Sequence, residues 1–164
     1  MSRTHADPSM RTGYLAWQMV HVMGTRLERA LRSLDLTTAQ HNALQHVVWT
    51  PGISTAKVAR RTGFTPQSMG AAVNALVDRG LMARHDHPSN RRTVQLTATD
   101  SGAKLADRAR EVVERLDMEA LAVLDSAEQV VIHSLLLRVL AELNHDALPF
   151  VRTGVGEWRE CKDA

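Results

Sequence analysis

Gln67, Ser68 and Asn74 place an amide, a hydroxyl and a second amide where a helix would bring them to one face. Amide side chains pair with the N6/N7 edge of adenine, and a hydroxyl can donate or accept at a base edge. Gly70 and Ala71 lie between them and keep that face slim. A mid-helix glycine costs ~1 kcal/mol relative to alanine, so close approach of another molecule is a physical reason for it. Downstream, His87, Pro88, Ser89, Asn90, Arg91 and Arg92 form a basic, Pro-containing turn. Arginines at such a tip suit a narrow minor groove, where the negative potential is enhanced. Each feature alone also reads as ordinary solvated surface. Their succession points to a two-point grip on a DNA duplex.

The elements that must hold these residues are legible from spacing. Met69, Ala72, Val73, Leu76 and Val77 form an i, i+3, i+4, i+7, i+8 stripe opposite the polar face, which seats the helix on a core. Thr65 is its N-cap and Pro66 stands at the first helical position, where a missing N–H costs nothing. A shorter helix precedes it. Ser54 caps that helix, Ile53 and Val58 are spaced as a hydrophobic staple, and Gly63 ends it. Two short helices joined by a Gly-containing turn predict a helix-turn-helix. Leu81 to Asp86 and Arg92 to Ala98 read as strands, with Val94, Leu96 and Ala98 alternating with polar neighbours.

Around this centre the chain reads as helix. Ala16, Val20, Met23, Leu27, Ala30, Leu31 and Leu34 recur at helical spacing over residues 10–34. Thr37 and Gln40 predict a capping box for a second helix that ends near Trp49. Thr99 caps a long helix to about residue 123, and Ser126 with Gln129 predicts a capping box for the last. That last helix carries Val130, Val131, Ile132, Leu135, Leu136, Leu137, Val139, Leu140 and Leu143, more than one stripe of apolar surface. Such a helix is buried on several sides. A second subunit would cover it, and so would the chain's own first and fifth helices. After Pro149 the pattern dissolves into a tail, with Phe150 and Trp158 as candidate docking points. The fold class is mainly α, in the order α-α-α-α-β-β-α-α.

Composition sets the outer bounds. The chain has 164 residues, 44% of them hydrophobic and only 4% aromatic, so its interior is built from Leu, Val, Ala and Met. No apolar run approaches the roughly 18–20 residues of a membrane span. The N-terminus lacks an apolar signal region, and Cys161 has no second cysteine to pair with. A cytoplasmic protein is expected. Net charge is only +2, yet residues 53–98 alone hold seven Lys/Arg against two Asp. A basic middle between acidic flanks is the footprint of a phosphate-facing module.

Other chemistries find little support. His85 and His87 lie two apart, and His41 and His46 five apart, neither a recognised metal spacing, and HExxH and CxxC are absent. No metal and no cofactor is expected. GxSxG, GxxxxGK[ST] and GxGxxG are also absent, so the reading is not an enzyme. Tyr14, Trp17 and His21 on the first helix, with His41 and Asn42 on the second, are candidates for an effector pocket. Trp17 and His21 are i, i+4 neighbours on one face, and a core Trp is the plainer reading. Two functions from different classes stay open: a DNA-binding protein, and a winged-helix protein-interaction module that does not bind DNA. The basic balance of residues 53–98 favours the first.

The segment Leu76-x-x-x-Gly80-Leu81-Met82-x-Arg84, the hairpin after it, and Thr99-x-x-Gly102 resemble the winged helix-turn-helix of the MarR family of bacterial transcription regulators. The resemblance extends over roughly residues 12–145, including the order of elements. It implies a homodimer that reads a pseudo-palindromic site on double-stranded DNA, represses by occluding a promoter, and is released by a small aromatic or phenolic ligand. Residues 10–36 and 99–145 would form a helical dimerisation lobe, residues 37–98 the DNA-binding lobe, and residues 146–164 a C-terminal tail. Thr65, Gln67, Ser68, Ala71 and Asn74 would line the recognition helix. His87, Ser89, Asn90, Arg91 and Arg92 would form the wing contact. Ser54, Thr55 and Lys57 would meet phosphates. The family's wing carries Asp-x-Arg, with the acid bracing the arginine; here Asn90 stands at the acid's position before Arg92.

Overall fold

A computed structural model describes residues 7–87, 90–147, 150–152 and 158–160. The main helices are α1 (Thr12–Leu31), α2 (Thr38–Trp49), α3 (Thr55–Thr62), α4 (Pro66–Asp78), α5 (Asp100–Leu121) and α6 (Ser126–Leu143). Strands β1 (Met82–His87) and β2 (Asn90–Ala98) stand between α4 and α5, and β3 (Phe150–Arg152) and β4 (Trp158–Glu160) follow α6. Short 3-10 turns at Pro8–Met10 and Arg32–Leu34 flank α1.

The helix starts follow from local hydrogen bonding. Thr37 and Gln40 close the expected capping box on α2: the Gln40 N–H donates to Thr37 Oγ1 at 3.2 Å, and the Thr37 N–H donates to Gln40 Oε1 at 2.9 Å. Ser54, Thr65 and Thr99 cap α3, α4 and α5 by accepting from the N–H three residues on. The turn between α3 and α4 is made by Gly63, whose φ of 72° is left-handed backbone that a side chain rarely adopts.

Four boundaries differ from the sequence reading. The first helix is not continuous over 10–34; α1 stops at Leu31 and a 3-10 turn carries the chain to Leu34. Asp35 then takes a left-handed conformation, φ 52°, which breaks the helix. The last helix is capped not by Ser126 and Gln129 but one residue earlier. Asp125 Oδ1 accepts from Ala127 N at 2.8 Å and Glu128 N at 2.9 Å, and Glu128 answers by accepting from Asp125 N. A carboxylate at a helix N-terminus is also favoured by the dipole. Gln129 instead donates to the Leu121 carbonyl at the end of α5 and to the Leu124 carbonyl in the turn that follows. The strands extend further toward the tip than Asp86 and Arg92. The stretch after Pro149 contains an antiparallel β3–β4 pair rather than a patternless tail.

The core lies between α2, α4 and α5. Leu31, Leu44, Val47, Val58, Met69, Val73, Leu76 and Leu96 are fully buried there. Full burial of each such side chain stabilises by about 1.5–3 kcal/mol. The stripe expected on the recognition helix is the one observed, with Met69, Ala72, Val73 and Leu76 buried and Val77 at the margin.

β1 and β2 form an antiparallel ribbon whose register shifts between Asp86 and His87. A third segment joins its base. Gly52 donates to the Leu96 carbonyl at 2.8 Å and Leu96 donates to the Ile53 carbonyl at 3.1 Å. The loop before α3 thus acts as a one-step strand that ties the ribbon to the helix-turn-helix. Leu96 and Ala98 face inward as expected, but Val94 is 41% exposed because the ribbon has left the core by that point.

α5 enters through a close contact. A Cβ on Gly102 would lie 1.9 Å from the Leu81 carbonyl oxygen, so only glycine lets α5 approach the start of the ribbon. Thr99 Oγ1 and Ser101 Oγ both donate to the Gly80 carbonyl, at 2.8 and 3.2 Å. On the far side, α5 and α6 meet at 112°. Among the described residues, α6 has no extended packing against another element. No single helix among them is long and apolar enough to cross a membrane.

Candidate nucleic-acid interface

The outer face of α4 carries Thr65, Gln67, Ser68, Ala71 and Asn74, all exposed. Its inner face is locked by the core stripe, so rotation of the helix would expose Met69 and Val73. Thr65 Oγ1 is used in the cap, accepting from Ser68 N at 3.1 Å. A Cβ added at Gly70 would meet nothing within 4 Å, so the slimness of this face is not required by the protein's own packing.

Asn74 is not a bare amide. Its Oδ1 accepts a hydrogen bond from the Arg84 guanidinium on β1. The sequence reading missed this link because the two residues sit on different elements. Beside it, His85 is bonded across the ribbon to Thr97 Oγ1 at 2.8 Å.

α3 presents Ser54, Thr55 and Lys57 at partial exposure along its first turn. Ser54 Oγ accepts from Lys57 N at 3.3 Å. Ser89 lies outside the described residues, as does Cys161. His87, Asn90, Arg91 and Arg92 belong to the ribbon by their backbone, and their side chains lie outside the described set.

The basic count over residues 53–98 overstated the charge turned outward. Arg61 is buried and donates to Thr50 Oγ1 at 3.0 Å. Arg60 pairs with Asp146 at 3.0 Å, while Asn144 Nδ2 donates to the Arg60 carbonyl. Arg79 holds Asp35 twice, donating to its carbonyl at 2.6 Å and pairing with its carboxylate at 3.4 Å. With Arg84 on Asn74, at least four of the seven cations have partners inside the chain.

The expected effector residues divide into two groups. Tyr14, Trp17 and His21 form an aromatic ladder on α1, with Trp17 stacked on His21 at 5.8 Å and tilted against Tyr14 at 6.0 Å. Trp17 is 58% exposed, so it is not a core Trp within one chain. His41 is buried in α2, and Asn42 is half-buried and donates to the Thr38 carbonyl at 2.9 Å. A cavity of about 400 Å³ opens where α1, α2 and α4 converge, lined by Glu28, Arg32, Asp35, Gln40 and Arg79 among others, and by none of those five.

His46 is the group most altered by its surroundings. Burial, helped by the nearby Arg61 and His41 charges, pushes its pKa down to about 4. Burial alone pushes His41 in the same direction. Their Nδ1 atoms have no hydrogen-bond partner among the described residues, and the His46 ring stands edge-on to Trp49 at 5.5 Å.

A mainly helical chain with a helix-turn-helix, a slim polar face on its second helix and a two-stranded ribbon beside it defines a winged helix-turn-helix transcription regulator. The model of the MarR family matches residues 34–93. The HTH-type transcriptional repressor Rv2887 of Mycobacterium tuberculosis is 35% identical over 117 residues, which span 71% of this chain and 84% of the relative. A crystal structure of that Mycobacterium tuberculosis MarR family protein in complex with salicylic acid superposes with a TM-score of 0.68 at 32% identity, covering 79% of this chain and 96% of that one. The same protein in complex with DNA superposes with a TM-score of 0.66 at 31% identity, covering 79% and 97%. The chain belongs to the MarR family.

Proposed function

We propose that this protein is a homodimeric, sequence-specific repressor that occupies a pseudo-palindromic site on double-stranded DNA and leaves it when a small aromatic or phenolic acid binds. The observation that carries this reading is the α4 face: exposed, free of bulk at Gly70 and Ala71, and set beside the ribbon on one shared core. Thr65, Gln67, Ser68, Ala71 and Asn74 enter the major groove. His87, Ser89, Asn90, Arg91 and Arg92 approach the adjacent minor groove, and Ser54, Thr55 and Lys57 meet phosphates. Residues 37–98 form the DNA-binding lobe, residues 10–36 and 99–145 the dimerisation lobe, and residues 146–164 a tail. The apolar girth of α6 supports the dimer, because seven of its large apolar side chains stand 42–78% exposed in the single chain. The similar mycobacterial protein, solved with DNA and with salicylic acid, supports both ligands. Tyr14, Trp17, His21, His41 and Asn42 are assigned to the effector. The protein acts in the cytoplasm, without a cofactor and without catalysis.

A gel-shift titration against the duplex upstream of the protein's own reading frame tests this. Specific binding should weaken steeply as salt rises, because neutralised phosphates release counterions. Absence of binding to that duplex at low salt overturns the reading.

A further inference from the structure

We infer that α6 is a brace between the far end of α5 and the helix-turn-helix, pinned at its tip by Asn144 and Asp146 on Arg60, and that this pin sets the angle at which the helix-turn-helix is carried. The brace rests on the fold alone; its consequence for DNA rests on the reading above.

α5 is held in the core only over its first half. Gly102, Ala106 and Ala109 are buried there, and no residue of α5 beyond Ala109 is. The chain then turns back at 112° into α6, a helix of 18 residues and so about 27 Å long. Among the described residues α6 has no extended packing along its length, yet it is joined at both ends. Its start is tied to the end of α5 and the following turn by the Gln129 side chain on the Leu121 and Leu124 carbonyls.

Its tip is tied to α3. The last four carbonyls of a helix have no partner within it, and the Arg60 carbonyl is one of these. Asn144 Nδ2 donates to that carbonyl at 3.1 Å, while Asn144 Oδ1 accepts from Asp146 N at 3.1 Å. One amide thus caps α3 and fixes the turn that presents Asp146 to the Arg60 guanidinium, 3.0 Å away. A backbone bond of 3.0 Å from Ala147 N to the Asn144 carbonyl closes the same turn.

Three rods joined in a closed figure keep their angles while every joint holds. With the pin made, the outer half of α5 cannot bend away from the helix-turn-helix; with it broken, that half is free beyond Ala109. The bonds of the pin are exposed and individually weak, which suits a joint that yields. In a dimer built on α6, the pin is where a change at the subunit interface reaches α3. It then holds the spacing of two recognition helices, which in helix-turn-helix dimers is about one DNA turn, ~34 Å.

Distances within one chain test the brace without DNA. Spin labels at Ser68→Cys and Glu119→Cys, in a Cys161→Ser background and diluted with unlabelled protein, report the span from α4 to the outer half of α5 by pulsed electron–electron resonance. An intact pin should give one narrow distribution. Asp146→Ala and Arg60→Ala should each lower the weight of that distance about five- to tenfold against a broader set, the combined effect of one hydrogen bond and an exposed ion pair. The two together should do no more than either alone, because they remove one shared bond. Arg60→Lys keeps the pair and should keep the narrow distribution. Equal widths with and without the pin, or a double variant whose broadening is the sum of the singles, would overturn the inference. In gel shifts, the upstream duplex is compared with the same duplex lengthened by one base pair between its half-sites. The Asn144→Ala, Asp146→Ala double variant should shrink the ratio of the two affinities by about fivefold, and an unchanged ratio would also overturn the inference. Failure of the wild type to bind either duplex strikes the DNA-binding reading, and the distances then decide the brace.

Discussion

Around α2, α3, α4 and the base of the ribbon, most large apolar side chains are buried, Trp49 at the end of α2 excepted, whereas seven of those on α6 remain 42–78% exposed. Both regions are rich in Leu and Val. They differ in whether the apolar residues fall on a stripe that faces a neighbour. On α4 the stripe is single and the opposite face is polar or small. On α6 it spreads around most of the helix, and α6 stands off the body at 112° to α5. The first region completes its core within one chain; the second leaves an apolar face open in the single chain, which the proposed second copy would cover.

The largest expected effect breaks the second region alone. Leu136→Asp puts a carboxylate in the apolar face of α6 and should weaken self-association by more than about 100-fold, on the order of 3 kcal/mol. Sedimentation should then give a monomer whose circular dichroism stays helical. A dimer of unchanged affinity would remove α6 from the interface.

Breaking the first region comes next. Gly102→Ala drives a Cβ to 1.9 Å from a backbone oxygen that cannot swing aside. It should cost about 3 kcal/mol in urea unfolding, at the upper end for overpacking. A loss below about 1 kcal/mol would mean that α5 docks less tightly than described.

Acid should also act on the first region. A His whose folded pKa is lowered leaves the unfolded chain binding more protons, so its stability is intact above the unfolded value of 6.5 and is lost as pH falls towards about 4. For His46 that loss is on the order of 2 kcal/mol at pH 5. His46→Leu should flatten the fall in melting temperature between pH 6.5 and pH 4, and an unchanged pH profile would exclude His46 as its source.

The smallest effect separates stability from recognition. Gly70→Ala meets open space, so it should stabilise α4 by about 1 kcal/mol while lowering operator affinity. Stabilisation with undiminished binding would show that DNA does not need the missing methyl.

What could be read in the sequence was local. The caps at Thr37, Ser54, Thr65 and Thr99 each depend on a residue three positions on, and the α4 stripe depends on one helical period. The links that shape the candidate interface are distant. Arg60 meets Asp146 across 86 residues, Gln45 donates to the Ala106 carbonyl across 61, and Arg79 reaches back 44 to Asp35. No spacing rule predicts such pairs. Counting charges therefore gave the sign of the region but not which cations face outward, and Arg61 was counted although it is buried. Asn74 was recognised as an exposed amide, but its orientation depends on Arg84, ten residues away on another element.

The two backbone bonds between Leu96 and the Gly52–Ile53 step make the ribbon a cantilever. Its root is clamped at Leu96 and, just beyond the strand end, by Thr99 and Ser101 on Gly80. At Asp86 and Val94 the side chains are exposed and the two strands are joined by their backbone pairing. Exposed segments that join paired strands tolerate changes of length better than core segments do. The length of the ribbon is then an adjustable dimension of this architecture, one that selection can lengthen or shorten while the helix-turn-helix stays as it is.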